Sequence, residues 1–246
     1  MLILALDTSS PSGSLAVLRD ENVIGTVSTW AQELHSARAF RHVESLLREL
    51  SLGLDAFDLF AVAAGPGSFT GLRVGLAAVK AWAEVYQKPI AAVSALEAVA
   101  MQSPRARSSA SLLVPVLDAR RGQIYFGFYR SVNVGARNRL ALEGEECVAT
   151  PEEFAQAQQA RRSQSDLVIV TPAPTLVRAA LSRLETDGTP AGSIPVDEVS
   201  PILAPHIGRL GHLLAQRGEL ANALTLDANY IRRSDAEVHR KEPPGS

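Results

Sequence analysis

The feature that most constrains this chain is an order of elements written twice. In the first half, Leu2–Leu6, Ser14–Leu18 and Asn22–Thr29 are short apolar runs. Brief turns separate them, which predicts an antiparallel three-strand meander. The first link, Ser9-Ser10-Pro11-Ser12-Gly13, is rich in turn formers. A helix is expected from about Ser36 to Leu50, where Phe40, Val43, Leu47 and Leu50 recur at spacings of three and four. A buried strand follows at Leu59–Ala64, then a glycine-rich turn, a helix over Phe69–Tyr86, a strand at Ile90–Val93 and a short helix over Ser94–Gln102. Ser94 is the expected cap of that last helix, with Glu97 at the capping-box spacing.

The second half repeats the order. Leu112–Leu117, Gln123–Tyr129 and about Arg139–Val148 read as three strands. Pro151–Gln159 reads as a helix, with Thr150 as cap and proline in the first helical position. Then come a strand at Leu167–Thr171, a helix at Pro174–Leu184, a strand at Ser193–Val196 and a helix at Pro201–Gln216. Each half reads β-β-β-α-β-α-β-α. The expected fold class is α/β, in a duplicated arrangement that resembles the actin, hexokinase and Hsp70-ATPase (ASKHA) superfamily. The first lobe is expected over 1–104 and the second over 105–234, with the boundary in the weakly patterned stretch Ser103–Ala110. The segment 235–246, ending Pro243-Pro244-Gly245-Ser246, is expected to be a frayed tail. A single mixed α/β sheet is the alternative the same elements allow.

Composition removes several classes. The chain of 246 residues is 46% hydrophobic and 20% charged, unlike disordered or coiled-coil chains. No apolar run reaches the roughly 18 residues that span a bilayer. The apolar start Met1–Leu6 meets Asp7 without a basic leader or cleavage pattern, so no signal peptide is expected. Cys147 is the single cysteine, which excludes an internal disulfide and a multi-cysteine metal site. A cytoplasmic location without membrane association is the expectation. A net charge of −2 argues against broad electrostatic capture of nucleic acid.

Three segments can carry chemistry. Asp7-Thr8-Ser9-Ser10 ends the first strand; in a nucleotide-binding duplicated fold Asp7 could hold a hydrated Mg²⁺ while Thr8 and Ser9 meet phosphate. The same residue types also make a self-capped turn. Gly65-Pro66-Gly67-Ser68-Phe69-Thr70-Gly71-Leu72-Arg73 follows a strand and opens a helix, a place that favours anions. Gly67, Ser68 and Gly71 are its candidate phosphate contacts, although the spacing is neither a Walker A loop nor G-x-G-x-x-G. A tight turn without ligand is the other reading. Asp118, in Asp118-Ala119-Arg120-Arg121-Gly122-Gln123-Ile124-Tyr125, is the symmetry mate of Asp7 in the second half; a surface hairpin with charged tips is its alternative. Along the helix after the glycine turn, Gly71, Gly75 and Ala83 share a face with Val79, with Ala77, Ala78 and Ala81 beside it, which points to a close helix–helix contact inside the domain or across an interface. No metal site is expected: His35 and His42 are seven apart and His206 and His212 six, so none makes an H-x-x-x-H pair, and His239 lies in the tail. Neither a G-x-S-x-G elbow nor a catalytic flank around Cys147 is present, so no catalytic residue is assigned.

Ile3-Leu4-Ala5-Leu6-Asp7-Thr8-Ser9, Gly65-Pro66-Gly67-Ser68-Phe69-Thr70-Gly71-Leu72-Arg73-Val74-Gly75 and the Asp118–Tyr125 segment together resemble the bacterial TsaB (YeaZ) family. Asn229-Tyr230-Ile231-Arg232-Arg233 is similar to that family's C-terminal Tyr-Leu-Arg element. The resemblance covers nearly the whole chain, and its glycine segment is the most specific part. It implies a non-catalytic role in making N6-threonylcarbamoyladenosine (t6A), a tRNA modification beside the anticodon. It implies a TsaD-like catalytic partner that carries the metal site, a TsaE-like ATPase, tRNA met through the complex, and a homodimer when the partner is missing. No cofactor of this chain itself follows; ATP or ADP with Mg²⁺ belongs to the level of the complex. Partner contact in the family uses helices of the N-terminal domain. Carried over, that points to His35, Ser36, Ala39, Phe40 and Val43 on one helix and to Gly71, Leu72, Gly75, Leu76 and Val79 on the next. The missing histidine pair agrees with a subunit that is neither transferase nor peptidase. The alternative from another class is a nucleotide-dependent phosphotransferase or ATP hydrolase of the same superfamily, built on Asp7, Asp118 and the glycine-rich helix start.

Overall fold

The structure is a computed structural model. It describes residues 1–29, 36–108, 110–134, 137–162, 166–182, 194–224, 226 and 231. The expected tail 235–246, and all of the Asn229–Arg233 element except Ile231, lie outside them.

In the first half the strands are β1 (Leu2–Asp7), β2 (Ser14–Arg19), β3 (Asn22–Ser28), β4 (Leu59–Gly65) and β5 (Ile90–Ser94). The helices are α1 (Ser36–Glu49), α2 (Phe69–Tyr86) and α3 (Ala95–Ala100). In space the strands run β3-β2-β1-β4-β5. The meander β1-β2-β3 is antiparallel, and β4 and β5 join it in parallel. β4 is buried along its whole length, as a central strand covered on both faces must be. Its sequence Leu-Phe-Ala-Val-Ala-Ala-Gly is accordingly a continuous apolar run rather than an alternation.

The second half holds β6 (Ser111–Arg120), β7 (Gln123–Phe126), β8 (Tyr129–Val134), β9 (Arg137–Leu142), β10 (Cys147–Ala149), α4 (Pro151–Arg162), β11 (Asp166–Thr171), α5 (Pro174–Ser182), β12 (Val196–Glu198) and α6 (Ala204–Arg217). Its main sheet path is β10-β7-β6-β11-β12. Strand for strand this is the first path again: a meander of three with two parallel strands added on the far side. The duplication expected from the sequence is therefore present in the topology, and the single-sheet alternative is not.

Four expectations need correction. Gln123–Tyr129 is not one strand: β7 ends at Phe126 and β8 begins at Tyr129, across Gly127. Arg139–Val148 is likewise two strands, because Gly144 turns the chain at φ 89°, a conformation that favours glycine. The β8–β9 hairpin is thus an insertion without counterpart in the first half, and β10 is the true third strand. The last strand lies at Val196–Glu198 rather than Ser193–Val196, and α6 opens at Ala204, three residues past Pro201.

Each repeat's last helix covers the other repeat's sheet. α3 packs on β6 and β11, and α6 packs on β1, β2, β4 and β5. Between the sheets lies one core of Ile3, Ala5, Leu18, Ala61, Leu96, Val99, Leu113, Val168, Ile207 and Leu210. α6 comes unusually close: a Cβ on Gly208 would lie 2.2 Å from Leu18 Cδ1, and one on Gly211 2.8 Å from Ala61 Cβ. Beyond α6, Ala221 exchanges two backbone hydrogen bonds with Ile90 on the edge strand β5 (3.1 and 2.8 Å). α1 and α2 cover the outer face of the first sheet through Val43, Leu47, Leu76 and Val79. α4 and α5 cover the outer face of the second through Phe154 and Val177. Thr150 and Glu153 form a complete capping box on α4: Glu153 N donates to Thr150 Oγ1 (3.2 Å) and Thr150 N to Glu153 Oε2 (2.8 Å).

Candidate functional site

Two turns meet at the carboxyl ends of β1 and β4. Asp7 closes β1, and its Oδ1 accepts from Ser9 N (2.8 Å) and Ser9 Oγ (2.6 Å). Ser68 caps α2, its Oγ accepting from Gly71 N (3.3 Å). The turns are tied directly to each other. Ser68 N donates to Ser9 O (2.7 Å) and Thr8 Oγ1 donates to Gly71 O (2.7 Å). Glycine is required by this contact. A Cβ on Gly67 would lie 2.5 Å from Ser9 O, one on Gly71 1.9 Å from Thr8 O, and one on Gly75 2.3 Å from Thr8 Oγ1. The close backbone approach that the glycine segment permits is taken by the chain's own β1–β2 turn.

The small-residue face of α2 therefore has a different partner from the one expected. Gly71 and Gly75 pack on Thr8, not on another helix. Leu72, Leu76 and Val79 are buried beneath the same helix, facing its own sheet. Val43 is buried under α1. His35 lies outside the described residues, as do the side chains of Ser36, Ala39 and Phe40.

Asp7 is 0% exposed, and Thr8 and Ser9 are buried beside it. Its Oδ2 has no hydrogen-bond partner. Desolvation is the dominant cause of a carboxyl pKa pushed up to about 6, against which the Ser9 hydrogen bonds pull down. An enclosed carboxyl of this kind does not fit a hydrated Mg²⁺, which keeps several waters in its shell. Asp118 belongs to the second sheet and is exposed, its Oδ1 accepting from Arg120 N (2.7 Å). Of the seven residues expected around a phosphate, Asp7, Thr8, Ser9, Gly67, Ser68 and Gly71 are brought together, but they are packed on each other. Among the described residues no group of three or more His, Cys, Asp or Glu side chains is placed to hold a metal ion. No described helix is long and apolar enough to cross a membrane.

Residues 17–182 match the family described as TsaD: tRNA N6-adenosine threonylcarbamoyltransferase. A Bacillus subtilis protein named tRNA threonylcarbamoyladenosine biosynthesis protein TsaB is 41% identical over 133 residues, 54% of this chain and 57% of that relative. The Escherichia coli protein of the same name is 31% identical over 130 residues, 53% of this chain and 55% of the relative. The solved structure of YeaZ from Pseudomonas aeruginosa aligns over 93% of this chain and 99% of its own, with TM-score 0.70 and 26% identity. This chain belongs to the TsaB (YeaZ) family. The matched segment spans about half the length of the curated TsaB relatives.

The sequence reading places Ala77, Ala78 and Ala81 beside the glycine face of α2; in this TsaB-family chain Ala78 is buried with that face, and Ala77 and Ala81 stand on the outward side. Thr70, Arg73, Ala77, Ala81 and Glu84 are exposed, and Val85 is 71% exposed. Ala77, Ala81 and Val85 recur every four residues, which makes them one stripe on a helix. With 3.6 residues per turn, Ala77 and Ala81 lie roughly 120–160° round the helix from Gly75. Beside the stripe, Val43, Leu47, Leu52, Leu54 and Trp82 line a groove of about 410 Å³ between α1 and α2. The exposed Glu44–Arg48 ion pair (2.7 Å) flanks it.

Proposed function

We propose that this chain is a non-catalytic subunit of a tRNA t6A-modifying complex, which docks on a TsaD-like catalytic subunit through the outward sides of α1 and α2. Membership of the TsaB family, with relatives named for threonylcarbamoyladenosine biosynthesis, supports the process. The observation that carries the non-catalytic role is the mutual burial of the two turns. Thr8 Oγ1, Ser9 Oγ and Asp7 Oδ1 spend their hydrogen bonds on the glycine segment and on each other, and Asp7 Oδ2 is buried without a partner. The docking surface rests on the exposed Ala77–Ala81–Val85 stripe and the adjoining apolar groove. Small side chains there let a partner helix approach closely, and Trp82 offers an aromatic anchor of the kind that dominates interfaces. In the absence of the partner the same stripe pairs two copies of this chain. A TsaE-like ATPase and tRNA join through the complex, and any ATP or ADP with Mg²⁺ is bound at that level.

Co-expression with a TsaD-like subunit tests this reading. The two chains are expected to co-purify, and tRNA modification by the partner is expected to need this chain. Ala77→Arg and Ala81→Arg together are expected to cut pairing at least tenfold, since two charges would be buried without partners, and to leave the isolated chain folded, its thermal unfolding changed only by the loss of self-pairing. Failure to co-purify at micromolar concentration removes the proposal. Pairing unaffected by the double substitution removes the docking surface alone.

A further inference from the structure

The overall charge of −2 hides an uneven distribution. Residues 103–142 hold seven arginines and one acidic residue, Asp118, a net +6 that leaves the remainder of the chain at −8. Strand pairing keeps this stretch together in space. β6 pairs with β8 at Leu112 and Leu113 and with β7 from Val116 to Arg120, and β9 pairs with β8. The 3₁₀ turn Pro104–Arg107 packs on β6, β8 and β9. The basic stretch is therefore one continuous island of the second repeat, and it includes the β8–β9 insertion that the first repeat lacks.

Two kinds of arginine occupy the island. Arg105 and Arg130 are tied to carboxylates. Arg105 Nη1 donates to Asp197 Oδ1 (2.5 Å). Arg130 Nε donates to Glu143 Oε1 (2.6 Å), whose other oxygen accepts from Arg161 Nη1 (3.0 Å). These pairs fix the 3₁₀ turn and the base of the hairpin. Arg107, Arg139, Arg120 and Arg121 are exposed. Arg107 and Arg139 stand by the start of β6, and Arg120 and Arg121 at its end, where the chain turns into β7. The ten residues of β6 span about 30 Å at the rise of an extended strand. Charges that far apart cannot grip one small anion; they suit a chain of phosphates. Among the described residues of β6, β7 and their turn, no exposed side chain is a large apolar one of the kind that anchors protein interfaces.

We propose that this island touches RNA directly: Arg107 and Arg139 hold backbone phosphates at one end of β6, and Arg120 and Arg121 hold them at the other. The choice of tRNA as the ligand rests on the subunit reading above; within that complex the second repeat grips tRNA while α1 and α2 of the first repeat face the catalytic partner. The guanidinium fork matches the oxygens of a phosphate, and contacts of this kind position an RNA without reading its bases. The −8 carried by the rest of the chain repels the same polyanion, which confines it to this face.

Titration of the purified complex with an unmodified tRNA transcript, over about 50 to 200 mM potassium chloride, tests the island. Arg107→Gln with Arg139→Gln, and Arg120→Asn with Arg121→Asn, each remove two charges. Asparagine keeps the left-handed turn, where φ is 62° and 53°. Each pair is expected to weaken binding about tenfold and to flatten the slope of log affinity against log salt by about 1.5. Arg19→Gln with Arg178→Gln, at exposed arginines outside the island, removes the same net charge and is expected to change neither. A slope unchanged by either island pair, or flattened equally by the control pair, overturns the proposal. So does an island pair that weakens co-purification with the TsaD-like subunit and leaves the tRNA slope intact, which would give the island to a protein partner. Co-purification is scored on the same samples, so its failure in the wild type removes the subunit reading by itself; the same titrations on the full chain alone then decide the island.

Discussion

Asp7 and Asp118 stand at the same place in the two repeats, near the end of the first strand, and each Oδ1 accepts the amide two residues on, at 2.8 and 2.7 Å. The local code is the same; the surroundings are not. After Asp7 the chain turns under α2 and is buried against Gly67, Gly71 and Gly75. After Asp118 it turns in the open, with Arg120, Arg121 and Gly122 all at positive φ (62°, 53° and 73°) and nothing within 4 Å of a Cβ built on Gly122. One turn is shaped by what lies on it, the other by its own backbone. The comparison teaches that a short aspartate turn acquires meaning from the helix beside it: a bonded joint between sheet and helix in one repeat, an exposed tip in the other.

The sharpest way to break this comparison is to fill the joint. Gly71→Val places side-chain atoms where Thr8 O lies 1.9 Å from an ideal Cβ, and neither backbone can yield without parting the turns. We expect a loss of about 3 kcal/mol or more, read by urea denaturation. A loss below about 1 kcal/mol would mean that the turns are not joined. Next comes the charge on Asp7. Well below pH 3.8 the carboxyl is protonated in folded and unfolded chains alike, and its burial adds no pH-dependent cost. As pH rises from its ordinary 3.8 through about 6, the unfolded chain ionises while the folded chain resists, so stability falls and then levels. Asp7→Asn is expected to remove that slope, measured as unfolding free energy from pH 4 to 7. A slope retained in full would assign it to another group. The smallest effect belongs to the open turn. Gly122→Ala meets only the backbone preference at φ 73° and is expected to cost about 1 kcal/mol.

Much of the first repeat was legible because each of its elements carries its own punctuation. β1, β2 and β3 match expectation to within a residue, since Pro11, Gly13 and the Asp20–Glu21 turn interrupt apolar runs of strand length. The Ser94 and Thr150 caps were equally readable, because a cap is a contact within four residues. The second repeat was harder. Gly127 and Gly144 lie inside runs that keep their strand composition, so two strands and an insertion read as longer single strands. Gly75 was recognised as a site of close approach, and its partner was missed, because the alternatives share one pattern. A helix glycine meets a second helix or a turn with the same spacing, and Thr8 lies 67 residues away in sequence.

The amino-acid sequence by itself determined the repeat: the order of strands and helices, the apolar face of each helix and the caps that start them. These are consequences of periodicity and of hydrogen bonds between near neighbours, and they are written locally. Only the tertiary structure decided what each face meets. It sent α3 and α6 across to the opposite sheets, laid the β1–β2 turn into the glycine face of α2, and left Ala77, Ala81 and Val85 outside. An apolar or glycine face specifies that something must cover it closely; which segment does so depends on the sum of long-range contacts, and no short stretch of sequence contains that sum.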